Sequence, residues 1–78
     1  SEIKVDYFAS PSLDNKYLLL ADPMLATGNS LVAVYDTLKK IGELKQIHIV
    51  AVIAATTGIE NIKKYFPKNT HLWVATID

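Results

Sequence analysis

The chain has 78 residues, no cysteine, and eight basic against eight acidic side chains, so its formal net charge is zero. A chain of this length makes one domain, and such a domain buries only about 60% of its unfolded surface. The balanced charge gives no steering toward nucleic acid or an anionic membrane, and the lack of cysteine excludes a disulfide scaffold or a thiolate metal site.

The longest apolar run, Ile49 to Ala55, is far too short to cross a bilayer, and no segment reads as a signal peptide. A reducing cytoplasm fits these features. Half of the residues are hydrophobic, which is rich for a small soluble domain. The chain also opens on Ser1 and stops at Asp78 directly after a strand-like run. Together these favour a piece of a larger protein, whose other parts or partner subunits cover apolar surface.

Ile3 to Ala9 alternates partly, as a half-exposed strand does. Tyr7 and Phe8 are candidates for packing on a partner subunit. Ser10 to Lys16 is turn chemistry. Lys16 to Ala21 is an apolar run with a polar start, the pattern of a strand buried on both faces. An acid, Asp22, follows, and then a short loop of small and hydroxyl residues.

A helix is predicted to start near Asn29 or Ser30, both good N-cap types. Leu31, Val34, Tyr35, Leu38 and Ile41 fall on one stripe, with Asp36, Lys39 and Lys40 off it. The two lysines are read into the last turn and Gly42 as the C′ stop.

Ile47 to Ala55 is the next buried strand. Thr57 and Glu60 have capping-box spacing. Ile59, Ile62 and Phe66 form the apolar face of a second helix, which Pro67 ends. His71 to Ile77 is the last strand. His48 and His71 have no acid pattern nearby and read as structural; Tyr35 and Trp73 read as core or interface aromatics.

The order is β-β-α-β-α-β, without repeats. It predicts an α/β fold with a mainly parallel sheet and right-handed crossovers. Ligands of such sheets bind at the carboxyl ends of the strands, where Asp22 and the following loop lie.

Ala26 and Gly28 lack bulk, so an anion can approach the backbone closely, and Gly28 can take positive φ to turn successive N–H groups inward. Thr27 and Ser30 offer hydroxyls, and the helix start adds the positive end of its dipole. This is neither a Walker A loop nor the dinucleotide glycine motif. The same residues are also ordinary turn and cap chemistry, and Asp22-Pro23 is an ordinary turn initiator. The residue pattern alone leaves a phosphate site and a plain βα turn both open.

The full string Asp22-Pro23-Met24-Leu25-Ala26-Thr27-Gly28-Asn29-Ser30 resembles the phosphoribosyl-diphosphate signature of uracil phosphoribosyltransferases. Type I phosphoribosyltransferases usually open this motif with two acids; the uracil branch has Asp-Pro, as here. The resemblance continues through most of the chain. Val5 to Leu13 looks like the family segment upstream of the motif. Asp36-Thr37-Leu38-Lys39-Lys40-Ile41-Gly42 looks like the family's Asp-Leu-Leu-Lys-Lys-Ala-Gly, and Ala54-Ala55-Thr56-Thr57-Gly58-Ile59 stands where it has Ala-Ala-Pro-Glu-Gly-Ile. Val74 to Asp78 is similar to the family's Ala-Ser-Ile-Asp. Asn29 departs from a common glycine, and Thr56-Thr57 departs from Pro-Glu.

The resemblance implies a three-layer type I phosphoribosyltransferase core, present here in part as a single partial domain over residues 1–78. It implies conversion of uracil and 5-phosphoribosyl 1-diphosphate to UMP and diphosphate, with magnesium carried on the diphosphate. Asp22 would hold the ribose hydroxyls and the Ala26 to Ser30 loop the 5′-phosphate. It further implies a homo-oligomer and a GTP effector. The diphosphate-binding segments and the uracil-reading Gly-Asp-Ala-Gly-Asp would lie outside this chain, so these residues alone are expected not to turn over. The rival reading is a non-catalytic regulator that keeps the fold and senses nucleotides; the Asp-Pro opening argues against the pyrimidine operon regulators, which keep two acids.

Overall fold

A computed structural model describes residues 14–78. The strand expected at Ile3 to Ala9 and the roles given to Tyr7 and Phe8 lie outside the described residues. Within them the order is β1 (Tyr17–Leu25), α1 (Asn29–Leu38), β2 (Gln46–Ala54), α2 (Thr56–Tyr65) and β3 (Thr70–Ile77).

The strands form one parallel sheet in the order β1-β2-β3. Both crossovers therefore step the same way across the sheet. Right-handedness then puts both helices on one face, where they touch each other. The core lies between the sheet and these helices. Leu20, Ile47, Ile49 and Ala51 come from the strands, Leu31 from α1, and Ile62 and Phe66 from the α2 end. Tyr35 stacks on Phe66 with ring centroids 4.9 Å apart, at the margin of this core.

The expectation that the strands are buried on both faces is corrected. Leu19, Val50 and Trp73 are exposed, each between buried or half-buried neighbours in its strand, and Val52 is exposed as well. The three-layer arrangement is thus represented by two layers among the described residues. On the open face His48 sits in register with His71, and their rings stack at 4.8 Å. Trp73 Nε1 donates to His48 Nδ1 at 3.1 Å, and His48 Nε2 pairs with Gln46 Oε1 at 3.0 Å. The histidines serve the sheet surface, as their isolation in the sequence suggested. Trp73 is a surface residue of this unit, not a core one.

The helix ends also differ from expectation. In α1 the N-cap is Gly28, and the helix stops at Leu38 with Lys39 as C-cap. Lys39 and Lys40 fall beyond the last turn, in a tighter continuation where Lys40 N donates to Thr37 O and Ile41 N to Leu38 O. Gly28 is the one glycine with positive φ among the described residues, so Gly42 is no left-handed stop. The capping box at Thr57 and Glu60 does not form either. The N-cap of α2 is Ala55, with no side-chain cap bond. Starting at Thr56, the helix carries Thr57 past the position from which a hydroxyl can cap it. Phe66 closes α2 in an extended conformation, as the residue before a proline must.

Candidate functional site

The motif sits at the carboxyl end of β1, but more of it is strand than the sequence suggests. Asp22, Pro23, Met24 and Leu25 belong to β1, which pairs with β2 as far as Leu25 and Ala54. Pro23 has no N–H to give, and it is tolerated because β1 is an edge strand among the described residues. The loop proper is only Ala26 to Gly28.

Asp22 is 5% exposed, the one buried charged residue described, and its Oδ1 accepts the Met24 N–H at 3.1 Å. That i to i+2 bond is the local turn chemistry an Asp-Pro pair offers. A carboxylate has about four lone-pair sites, so one amide leaves acceptor capacity. Met24 is exposed. Leu25 is 1% exposed and packs in the core, which corrects its placement in a ligand-facing loop.

Beyond Leu25 the chain becomes accessible: Ala26, Thr27, Asn29 and Ser30 are exposed, and only Gly28 is buried between them. Gly28 adopts φ 79°, ψ 1°, a left-handed conformation that costs a residue with a side chain about 1–2 kcal/mol. Thr27 Oγ1 accepts the Asn29 N–H at 3.3 Å. The first helical bond runs from Val32 N to Gly28 O at 3.0 Å. The amides of Ser30 and Leu31 therefore stand ahead of the helical ladder, at the positive end of the α1 dipole.

The second helix forms the wall behind this loop. A Cβ on Gly58 would lie 2.6 Å from Ala26 O and 3.0 Å from Leu25 Cγ, so α2 approaches the loop backbone as only a glycine allows. Ala55 N donates to Leu25 O at 2.8 Å, and Asn61 Nδ2 donates to Thr27 O at 2.7 Å. Asn61 is the contact that sequence reading misses. One polar residue on an amphipathic helix looks like solvent-facing surface, and nothing local marks its partner 34 positions earlier.

The result is a short, accessible loop whose free groups are amides, hydroxyls and a helix terminus. Such a site favours an anion without a basic side chain.

The model of the family described as uracil phosphoribosyltransferase matches residues 4–78. The chain belongs to the uracil phosphoribosyltransferase family. It is 42% identical over 77 residues to the uracil phosphoribosyltransferase of Porphyromonas gingivalis, covering 99% of this chain and 36% of that protein. It is likewise 42% identical to the enzyme of that name from Methanococcus vannielii (97% and 33% covered) and 40% identical to that of Thermococcus kodakarensis (99% and 34%). A solved structure of an Aquifex aeolicus protein superimposes with a TM-score of 0.77 at 31% identity, covering 96% of this chain and 35% of that one. The chain thus spans about a third of the length of these relatives, and its α/β unit is part of a phosphoribosyltransferase-type fold.

Proposed function

We propose that the intact protein bearing this segment transfers a phosphoribosyl group from 5-phosphoribosyl 1-diphosphate to uracil, releasing UMP and diphosphate. The observation that carries this reading is the accessible Ala26–Ser30 junction, rich in N–H and hydroxyl groups, on a chain of this family. In the proposal the 5′-phosphate lies on the amides ahead of the α1 ladder and on the hydroxyls of Thr27 and Ser30. The remaining acceptor sites of Asp22 take ribose hydroxyls. Exposed Met24 borders the sugar, and Pro23 holds the strand end that aims Asp22. Leu25 contributes from the core by fixing the loop base. Catalysis from this segment is positioning: a ribose phosphate held at one end presents its C1 in a fixed place to the groups that act on it.

Among the described residues no group of three or more His, Cys, Asp or Glu side chains could hold a metal ion. Magnesium is usually held by substrate phosphates with only one or two protein carboxylates, and in the proposal it arrives on the diphosphate of the substrate. A homo-oligomer, a GTP effector and a cytoplasmic location complete the reading. The apolar open face of the sheet supports assembly with further protein surface. No described helix is long and apolar enough to cross a membrane. The nucleotide-sensing regulator is the less favoured reading, because the named relatives are transferases.

The test is UMP formation from uracil and 5-phosphoribosyl 1-diphosphate by the intact protein, followed by a coupled assay. Turnover is expected there and not from the isolated 78 residues. An intact protein that binds ribose 5-phosphate but never forms UMP would favour the regulator instead.

A further inference from the structure

We propose that Asn61 is a positioning residue for the 5′-phosphate, acting from α2 through the peptide bonds of the loop. The inference rests on the functional reading above and goes beyond it by assigning a role to a residue outside the motif. Asn61 Nδ2 donates to Thr27 O at 2.7 Å, and Ala26 O lies against Gly58. Two successive carbonyls of the loop thus face α2. In a planar trans peptide the N–H points opposite to the C=O. The carbonyl of Ala26 shares its peptide with the Thr27 amide, and the carbonyl of Thr27 shares its peptide with the Gly28 amide. Holding both carbonyls on α2 therefore turns the Thr27 and Gly28 N–H groups away from the helix, toward the accessible side. Successive N–H groups turned the same way form an anion-binding concavity.

Gly28 makes this orientation necessary to enforce. A left-handed glycine is conformationally permissive, so the peptide before it can rotate at little steric cost. Gly58 keeps the space that admits the Ala26 carbonyl, but it supplies no directional bond. Among the described residues, Asn61 supplies the one side-chain hydrogen bond between α2 and the loop. A carboxamide suits the task, because it donates without bringing a charge beside the anion.

The test uses the intact protein and its Asn61→Ala and Asn61→Gln variants. Ribose 5-phosphate binding is measured by calorimetry, and KM is measured separately for 5-phosphoribosyl 1-diphosphate and uracil. Wild type is expected to bind ribose 5-phosphate. Asn61→Ala should weaken that binding about five- to tenfold and raise the KM for 5-phosphoribosyl 1-diphosphate by a similar factor. The KM for uracil and the Tm should stay close to wild type, since alanine is a good helix residue. Asn61→Gln, which keeps a carboxamide donor, should fall between the two. Should Asn61→Ala fail to fold, the near-isosteric and uncharged Asn61→Leu carries the same expectation and the same counter-result. Failure of wild type to bind ribose 5-phosphate would remove the phosphate site itself, and the role of Asn61 with it. Unaltered binding in Asn61→Ala, or equal weakening for both substrates, would overturn the role of Asn61 and leave the phosphate site standing.

Discussion

The molecule makes a strand-to-helix connection twice in one sheet, and the two are built differently. From β2 to α2 the chain passes through a single residue, Ala55, in extended conformation, and the helix begins at once. From β1 to α1 it takes Ala26, Thr27 and Gly28, with a left-handed residue at the cap and exposed hydroxyls on either side. The short connection shows what the fold needs to reverse direction. The extra residues of the long one supply the amides and hydroxyls on which the proposed phosphate site rests. The short connection also lets α2 start low enough for Gly58 and Asn61 to reach the first loop. One junction carries the proposed site and the other braces it.

The strongest way to break this relation is to push the two junctions apart. Gly58→Ala puts a Cβ 2.6 Å from the Ala26 carbonyl, which belongs to backbone and cannot simply swing aside. Overpacking of this kind costs about 2–3 kcal/mol. A clear fall in Tm together with lost ribose 5-phosphate binding is the expected outcome in thermal melts and calorimetry; an unchanged Tm would show that the helix does not press on the loop.

A smaller effect is expected at the cap. Gly28→Ala must hold alanine at φ 79°, at a cost of about 1–2 kcal/mol, and its Cβ would also lie 3.3 Å from Gly58 O. Gly28→Asn should cost less, since asparagine visits this conformation more readily. Denaturant titration that ranks the two variants in the opposite order would contradict the left-handed assignment.

The hydroxyls sharpen the comparison. Thr27→Ala removes the oxygen that takes the Asn29 amide, and Ser30→Ala removes a donor beside the helix terminus. Each should weaken ribose 5-phosphate binding by about tenfold or less, with little change in Tm. At the second junction, Thr56→Ala and Thr57→Ala remove hydroxyls from a helix start that has no side-chain cap bond. Their effect on both affinity and stability should be within about 0.5 kcal/mol. Equal losses at the two junctions would mean that the hydroxyls of the first have no special part in binding.

The sequence revealed the strands and helices because apolar runs and helical spacing are local signals. Ile47 and Ile49 mark β2, and Leu31 and Leu38 mark the stripe of α1. The reach of β1 through Pro23 was not legible, because Asp-Pro reads locally as a turn, and it is the edge position of β1 among the described residues that makes the proline acceptable. The threonines before Gly58 read as a cap because spacing is local; the helix starts earlier because Ala55 N bonds back to Leu25 O, a tertiary contact. Of the site itself, the motif was visible in full, yet the core burial of Leu25 was not. Gly58 stood out as a matching letter without its reason, which is a close approach in space.

The most direct measurement is a structure of the intact protein with ribose 5-phosphate bound. The account predicts phosphate oxygens within hydrogen-bond distance of the backbone amides between Thr27 and Leu31 and of the hydroxyls of Thr27 or Ser30, with no anion at the Ala55–Gly58 turn. A phosphate seated anywhere else, with the Ala26–Ser30 junction unoccupied, would contradict it.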